Sequence, residues 1–241
     1  VHYAVTDTGG TSPNVVQARA EVLYLIRAVR NDEAAALYER VQNVARGAAL
    51  MTECKLDIVF DKACSNLLQN STLNAVLHAK LLAEGKLKVN AAEQTKAVDF
   101  QATLTASDID AVSRPLASVL RGKTPAVFEG VAPYDPAARE VLFGSTDVAD
   151  VSWVTPTAQA WVACFAFGTP MHSWQLVSQG LSGLAHAGMV RAARVLTATA
   201  IELVNKPELI EQAKAELLER RQGKPYACPI PADVPLPFTR A

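Results

Sequence analysis

Between Val15 and Val29 the chain alternates: Val16, Ala18, Ala20, Val22, Tyr24 and Ile26 are apolar, whereas Gln17, Arg19, Glu21 and Arg27 fall on the other face. A two-residue period puts one side of an extended strand on a core and the other in water, so this stretch reads as one long strand. Val1–Thr6 alternates in the same way, and the Gly- and Pro-containing cluster Asp7–Pro13 between the two reads as a turn, which makes a hairpin. The period then changes. Asn31 is expected to cap a helix with Asp32 and Glu33 in its first turn, and Leu37, Val41, Val44, Ala48 and Met51 recur at helical spacing as its buried stripe. Cys54–Phe60 alternates again as a strand. The order β-β-α-β is what a split β-α-β-β-α-β domain shows without its first strand and helix. On this reading Val1, which is not a Met, does not mark the start of the fold, and the sheet keeps an unpaired edge prone to aggregation.

The rest of the chain has a different character. Ser71–Glu84 is expected as an amphipathic helix closed by Gly85, and Pro115, Pro125 and Pro133 break any long element between 86 and 135. Glu140–Phe143 reads as a short strand entering the loop Gly144–Asp150. Ala158–Phe167 is apolar on both faces apart from Gln159, the pattern of a buried central strand, and it runs into the loop Gly168–Gln175. A long helix is expected over Ser182–Val204, and a second starts at Pro207 with Glu208 in its first turn and ends at Gly223. The tail from Lys224, with Pro225, Pro229, Pro231, Pro235 and Pro237, is expected to lie extended on the surface. The fold class is therefore α/β, with an α+β portion followed by an α/β portion.

Charge and composition exclude several functions. Basic and acidic residues are interspersed and the formal net charge is −1, which leaves no electrostatic footprint for nucleic acid or an anionic membrane. No apolar run approaches the roughly 20 residues that span a bilayer, and no signal-peptide pattern is present. Cys54, Cys64, Cys164 and Cys228 lack zinc-finger or CxxC spacing and read as buried, reduced thiols, which points to the cytoplasm.

His172 is the leading candidate for chemistry. It follows a buried strand at its carboxyl end, where open α/β sheets place ligands, although loop histidines also serve as plain surface residues. Asp147 could orient a metal ligand or a substrate amide, or simply cap a loop or helix. His186, in the first turn of the long helix, could reach the same pocket or be structural. Arg27 could hold a carboxylate through two charge-assisted hydrogen bonds, on the order of 1.5–3 kcal/mol each, or be a solvated edge cation. Asn14 follows Pro13, where asparagine is common for local reasons. No two of the four histidines have metal-pair spacing.

Seven stretches nevertheless resemble, in order, the aminoacylase and glutamate-carboxypeptidase type of two-metal hydrolase. They are Val1–Gly10, Ser12–Gln17, Glu21–Ala28, Phe60–Asn66, Gly144–Trp153, Gly168–Gln175 and Gly223–Pro231. In that family a catalytic domain with two divalent metals, Zn or Mn, carries a ferredoxin-like lid through which the protein dimerises. The resemblance implies that residues 1–68 are the second half of the lid and 69–241 the C-terminal segment of the catalytic domain. It implies that His172 is the last metal ligand, and that Asn14 and Arg27 grip the carboxylate end of the substrate. Asp147 and His186 join the substrate-binding set. The implied reaction is metal-assisted hydrolysis of p-aminobenzoyl-glutamate or a related N-acyl amino acid or dipeptide amide.

The spacing of the two gripping residues carries an expectation of its own. Thirteen residues of continuous strand at about 3.3 Å each would separate Asn14 and Arg27 by roughly 40 Å, so a shared ligand would need one residue from each protomer of a homodimer. The family's other metal ligands and its general-base glutamate come from sequence upstream of the lid, so these residues alone are expected to be inactive, a fragment of a larger hydrolase. A second subunit could supply what is missing. The alternative reading is a non-catalytic binding or assembly module that keeps the dimerisation and carboxylate-binding elements.

Overall fold

A computed structural model describes residues 1–137 and 144–235. The elements in chain order are β1 (His2–Asp7), β2 (Glu21–Leu25), α1 (Asn31–Thr52), α2 (Ser71–Glu84), α3 (Ala91–Gln101), α4 (Ala106–Ser113), α5 (Ala117–Leu120), α6 (Val148–Ser152), α7 (Trp174–Gln179), α8 (Gly183–Asn205) and α9 (Pro207–Arg221). The chain divides into two compact units. The first holds Val1–Leu68 with the described parts of Glu140–Val154 and Lys224–Ala241; the second holds Gln69–Arg139 and Thr155–Gly223, again as far as described.

In the first unit, β1 and β2 pair antiparallel from His2↔Leu25 to Asp7↔Glu21, with an irregularity between Val5 and Asp7. The expected hairpin forms, but the long strand expected over Val15–Val29 is cut down to Glu21–Leu25. A strand persists only where it has a partner, and β1 runs out at Asp7. Gly9, at φ 74°, makes the turn, and a Cβ there would lie 2.2 Å from the Arg19 carbonyl oxygen. The reduced strand also removes the basis for a 40 Å separation of Asn14 from Arg27.

The helix expected after the hairpin forms, with corrections. Arg30, not Asn31, takes the N-cap position, and the Glu33 carboxylate accepts the Arg30 N–H at 3.3 Å. Asn31 instead exchanges hydrogen bonds with Asn66: Asn66 N donates to Asn31 Oδ1 at 2.8 Å, and Asn31 N to Asn66 Oδ1 at 3.3 Å. The predicted buried stripe is not buried. Leu37 and Val41 are half-covered, while Val44 and Met51 are 73% and 81% exposed. Cys54–Phe60, expected as the third strand, forms no ladder, so nothing it could carry covers the far end of α1. Its last residue, Phe60, still meets Tyr38 edge-on at 5.6 Å.

The second unit is helical. Its core gathers Leu87, Ala97, Val127, Ala166 and Leu184. Asn70 caps α2 by accepting from Leu73 N, and its amide donates to the Ala213 carbonyl of α9 at 2.9 Å. Glu216 completes that cap, accepting from Ser71 N at 2.7 Å and Thr72 N at 2.9 Å. Two amides at a helix N-terminus are orphan donors, and a carboxylate satisfies both while meeting the positive end of the helix dipole.

Ala158–Phe167, expected as a buried central strand, has no strand neighbour among the described residues. Trp161 is 75% exposed, and only Ala166 and Phe167 at its end are buried. An apolar run becomes a central strand only when strands flank it on both sides. The helices at 71, 182 and 207 fall where the periodicity predicts them. The strand expected at Glu140–Phe143 and the end of the Pro-rich tail lie outside the described residues. The cysteines are free, but none is fully buried: Cys54 and Cys228 are exposed, Cys64 and Cys164 partly covered. Among the described residues no helix is long and apolar enough to cross a membrane.

Candidate functional site

Arg27 follows β2 just before α1. Its Nη2 donates to Ser145 Oγ at 3.2 Å, which sets the guanidinium beside the loop that precedes α6. Asp147, two residues after Ser145, occupies the N-cap position of α6 without capping it, so its exposed carboxylate is not consumed by the helix. Two sequence-selected residues, Arg27 and Asp147, thus belong to one neighbourhood of the first unit, brought together through Ser145. Asn14 lies in the turn between the strands. Ser12 Oγ donates to its Oδ1 at 2.6 Å, the local use that asparagine commonly has in turns.

His172 belongs to the second unit and is held in the left-handed region at φ 59°. A non-glycine residue there is uncommon and is retained only where neighbouring contacts impose it. Those contacts surround the loop. Ala166 N donates to Gln179 Oε1 at 2.7 Å, and Gln179 Nε2 donates to Thr169 Oγ1 at 3.1 Å. Gln101 Nε2 donates to the Phe167 carbonyl at 3.0 Å. Gly168, at φ 92°, packs so closely that a Cβ would meet Ile109 Cγ1 at 3.0 Å. Ser173 caps α7 and donates to the Pro170 carbonyl at 2.7 Å. The result is an exposed imidazole on a rigidly built loop. His186 is exposed in the first turn of α8. The other histidines are committed elsewhere in the fold: His2 lies in β1, and His78 Nε2 is 3.0 Å from the Ala132 carbonyl.

Sequence reasoning missed the residues that support these two places. Gln179 and Gln101 are ordinary glutamines in the sequence, and only their burial against backbone groups reveals a role. Asp150 accepts from Ser65 and from Tyr226, partners 85 and 76 positions away, which no local pattern announces.

Among the described residues no three His, Cys, Asp or Glu side chains converge as a metal ion requires. His172 alone does not fit a one- or two-metal centre. What the arrangement offers chemically is an anion grip at Arg27 and an exposed, fixed imidazole.

The chain is 44% identical, over 97% of its length, to one of the subunits of p-aminobenzoyl-glutamate hydrolase from Escherichia coli (strain K12), and spans 50% of that protein. It is 24% identical, over 89% of its length, to Xaa-Arg dipeptidase of Mus musculus, and spans 39% of it. The chain thus spans about half the length, or less, of these curated relatives. No family model matches it, and no solved structure does.

Proposed function

We propose that these residues form the C-terminal portion of a hydrolase that cleaves the amide bond of p-aminobenzoyl-glutamate or a related N-acyl amino acid or dipeptide. The observation that carries the reading is the 44% identity to the bacterial hydrolase along nearly the whole chain, including the stretches around Arg27, Ser145 and His172. Arg27 binds the terminal carboxylate of the substrate. Asn14, Asp147 and His186 assist in holding the substrate. His172 supplies one ligand to a centre of two divalent cations, Zn or Mn, whose other ligands, with the general-base glutamate, come from the part of the relatives' length that this sequence does not span.

Residues 1–68 act as the second half of a lid, and residues 69–241 as the returning part of a catalytic domain. The lid mediates a homodimer. That the bacterial relative is named as one of several subunits supports a further partner chain. Alone, these 241 residues do not turn over substrate. The exposed apolar side chains of α1 and the hairpin, Tyr3, Val44, Leu50 and Met51 among them, support a covered lid in the assembled enzyme.

The test is release of p-aminobenzoate from p-aminobenzoyl-glutamate by an active enzyme containing these residues, with Arg27 intact or replaced by alanine. A raised KM in R27A with little change in kcat is expected. Equal KM values, or no hydrolysis of any N-acyl glutamate by the intact enzyme, would overturn the reading.

A further inference from the structure

The loop facing Arg27 leads directly into α6, and α6 is fastened to the rest of its unit at three closely spaced points. Asp150 Oδ1 accepts from Ser65 Oγ at 2.6 Å and from Tyr226 Oη at 3.1 Å, and its Oδ2 accepts from Ser65 N at 3.1 Å. Ser152, fully buried, accepts from Leu68 N at 2.9 Å and donates to the Ala149 carbonyl. Trp153 Nε1 donates to the Asn66 carbonyl at 2.8 Å. Asn66 is the residue that exchanges hydrogen bonds with Asn31 at the start of α1, four positions after Arg27.

These links close a circuit. From Arg27 it crosses to Ser145, runs along the chain to Asp150, crosses to Ser65, steps to Asn66, crosses to Asn31 and returns to Arg27. In such a ring the position of one crossing constrains the others, because every segment between crossings is short. Asp150 is the crossing with the most partners, and it is the one with a full charge. Tyr226 adds a third segment of chain to it. Burial, the Cys228 thiol beside it and the Asp150 charge push the Tyr226 phenol up to about 12, so it stays an O–H donor across the physiological range.

We infer that Asp150 is a positioning residue for Arg27: by gathering Ser65 and Tyr226 it sets where Ser145 meets the guanidinium, and so how well Arg27 presents itself to a substrate carboxylate. The inference rests on the reading of Arg27 as the carboxylate grip, but the coupling itself can be measured without substrate. The experiment is a side-chain Nε–H spectrum of the arginines in the whole chain, with Arg27 assigned by R27K, together with amide exchange in the segment 145–148.

D150N is expected to move the Arg27 resonance in the same direction as S145A and to speed exchange of the loop amides at least tenfold. Resonances of α8 should stay in place. Y226F, which removes one donor and no charge, should do the same to a smaller degree, and it decides the matter if D150N does not fold. An Arg27 resonance and loop exchange at wild-type values in Y226F and in folded D150N would overturn the coupling. A moved resonance, with the KM for p-aminobenzoyl-glutamate unchanged by R27A in active enzyme, would sink the carboxylate grip and leave the coupling standing.

Discussion

The Arg27 guanidinium donates to the Ser145 hydroxyl across 3.2 Å, joining positions 118 apart in the sequence. That contact puts a fixed cation, planar and with several donors, next to a loop whose Asp147 carboxylate is exposed. A bidentate donor of this kind matches the carboxylate end of an acylated amino acid, and the contact ties two of the motif stretches to one place.

Replacing Arg27 by alanine should raise the KM for p-aminobenzoyl-glutamate by about 10- to 100-fold in active enzyme, the loss of one to two charge-assisted hydrogen bonds. Ser145→Ala keeps the cation and removes only a neutral partner, so a change of about threefold is expected. Steady-state kinetics on both variants checks the order; S145A exceeding R27A would contradict it.

Glu216 is the stability switch of the second unit. Burial opposes its charge, but the amides of Thr72 and Ser71, Arg220 and the Thr72 hydroxyl outweigh it and hold the carboxyl at about 2, below the usual 4.5. A depressed carboxyl contributes stability that is complete above its unfolded value and disappears as pH falls through the folded one. Glu216→Gln should therefore cost about 2–3 kcal/mol at neutral pH, and the variant should lose less stability than wild type between pH 4.5 and 2. Urea titrations of both proteins across that window provide the measurement.

Gly188 marks where α8 touches the segment before the His172 loop. A Cβ there would lie 2.3 Å from the Ala163 carbonyl oxygen and 2.6 Å from Cys164 Sγ. Since one contact is backbone, it cannot yield by rotating a side chain. Gly188→Ala should destabilise by about 1–3 kcal/mol despite alanine's better helix propensity, read as a lowered midpoint in denaturant.

The helices were legible in the sequence because their signals are local. Asn70, Ser182 and Pro207 stand where α2, α8 and α9 begin, and Gly85 ends α2. The strands were not. Val15–Val29 and Ala158–Phe167 carry the right patterns, but a strand is completed by its neighbours, and the pattern does not say whether they are there. The site divides the same way. Arg27 and His172 stand out by type and by resemblance, whereas Ser145, Asp150 and Gln179 acquire their roles only from partners that the fold brings close.

Gln179 tests the rigidity of the His172 loop. It is 3% exposed and serves Ala166, Thr169 and Gln175. Gln179→Ala leaves buried polar groups without partners, at about 1–3 kcal/mol. It should also speed amide exchange across 168–173, the segment that holds His172 at its positive φ. Loop exchange at the wild-type rate would show that the left-handed backbone is held by other contacts.

The most direct measurement is metal content by elemental analysis on the purified 241-residue chain, alongside hydrolysis of p-aminobenzoyl-glutamate with added Mn²⁺ or Zn²⁺. The account predicts no stoichiometric metal and no turnover, with His172 a lone ligand. Two metals per chain with p-aminobenzoate released would contradict it, and would mean that these residues build a complete centre by themselves.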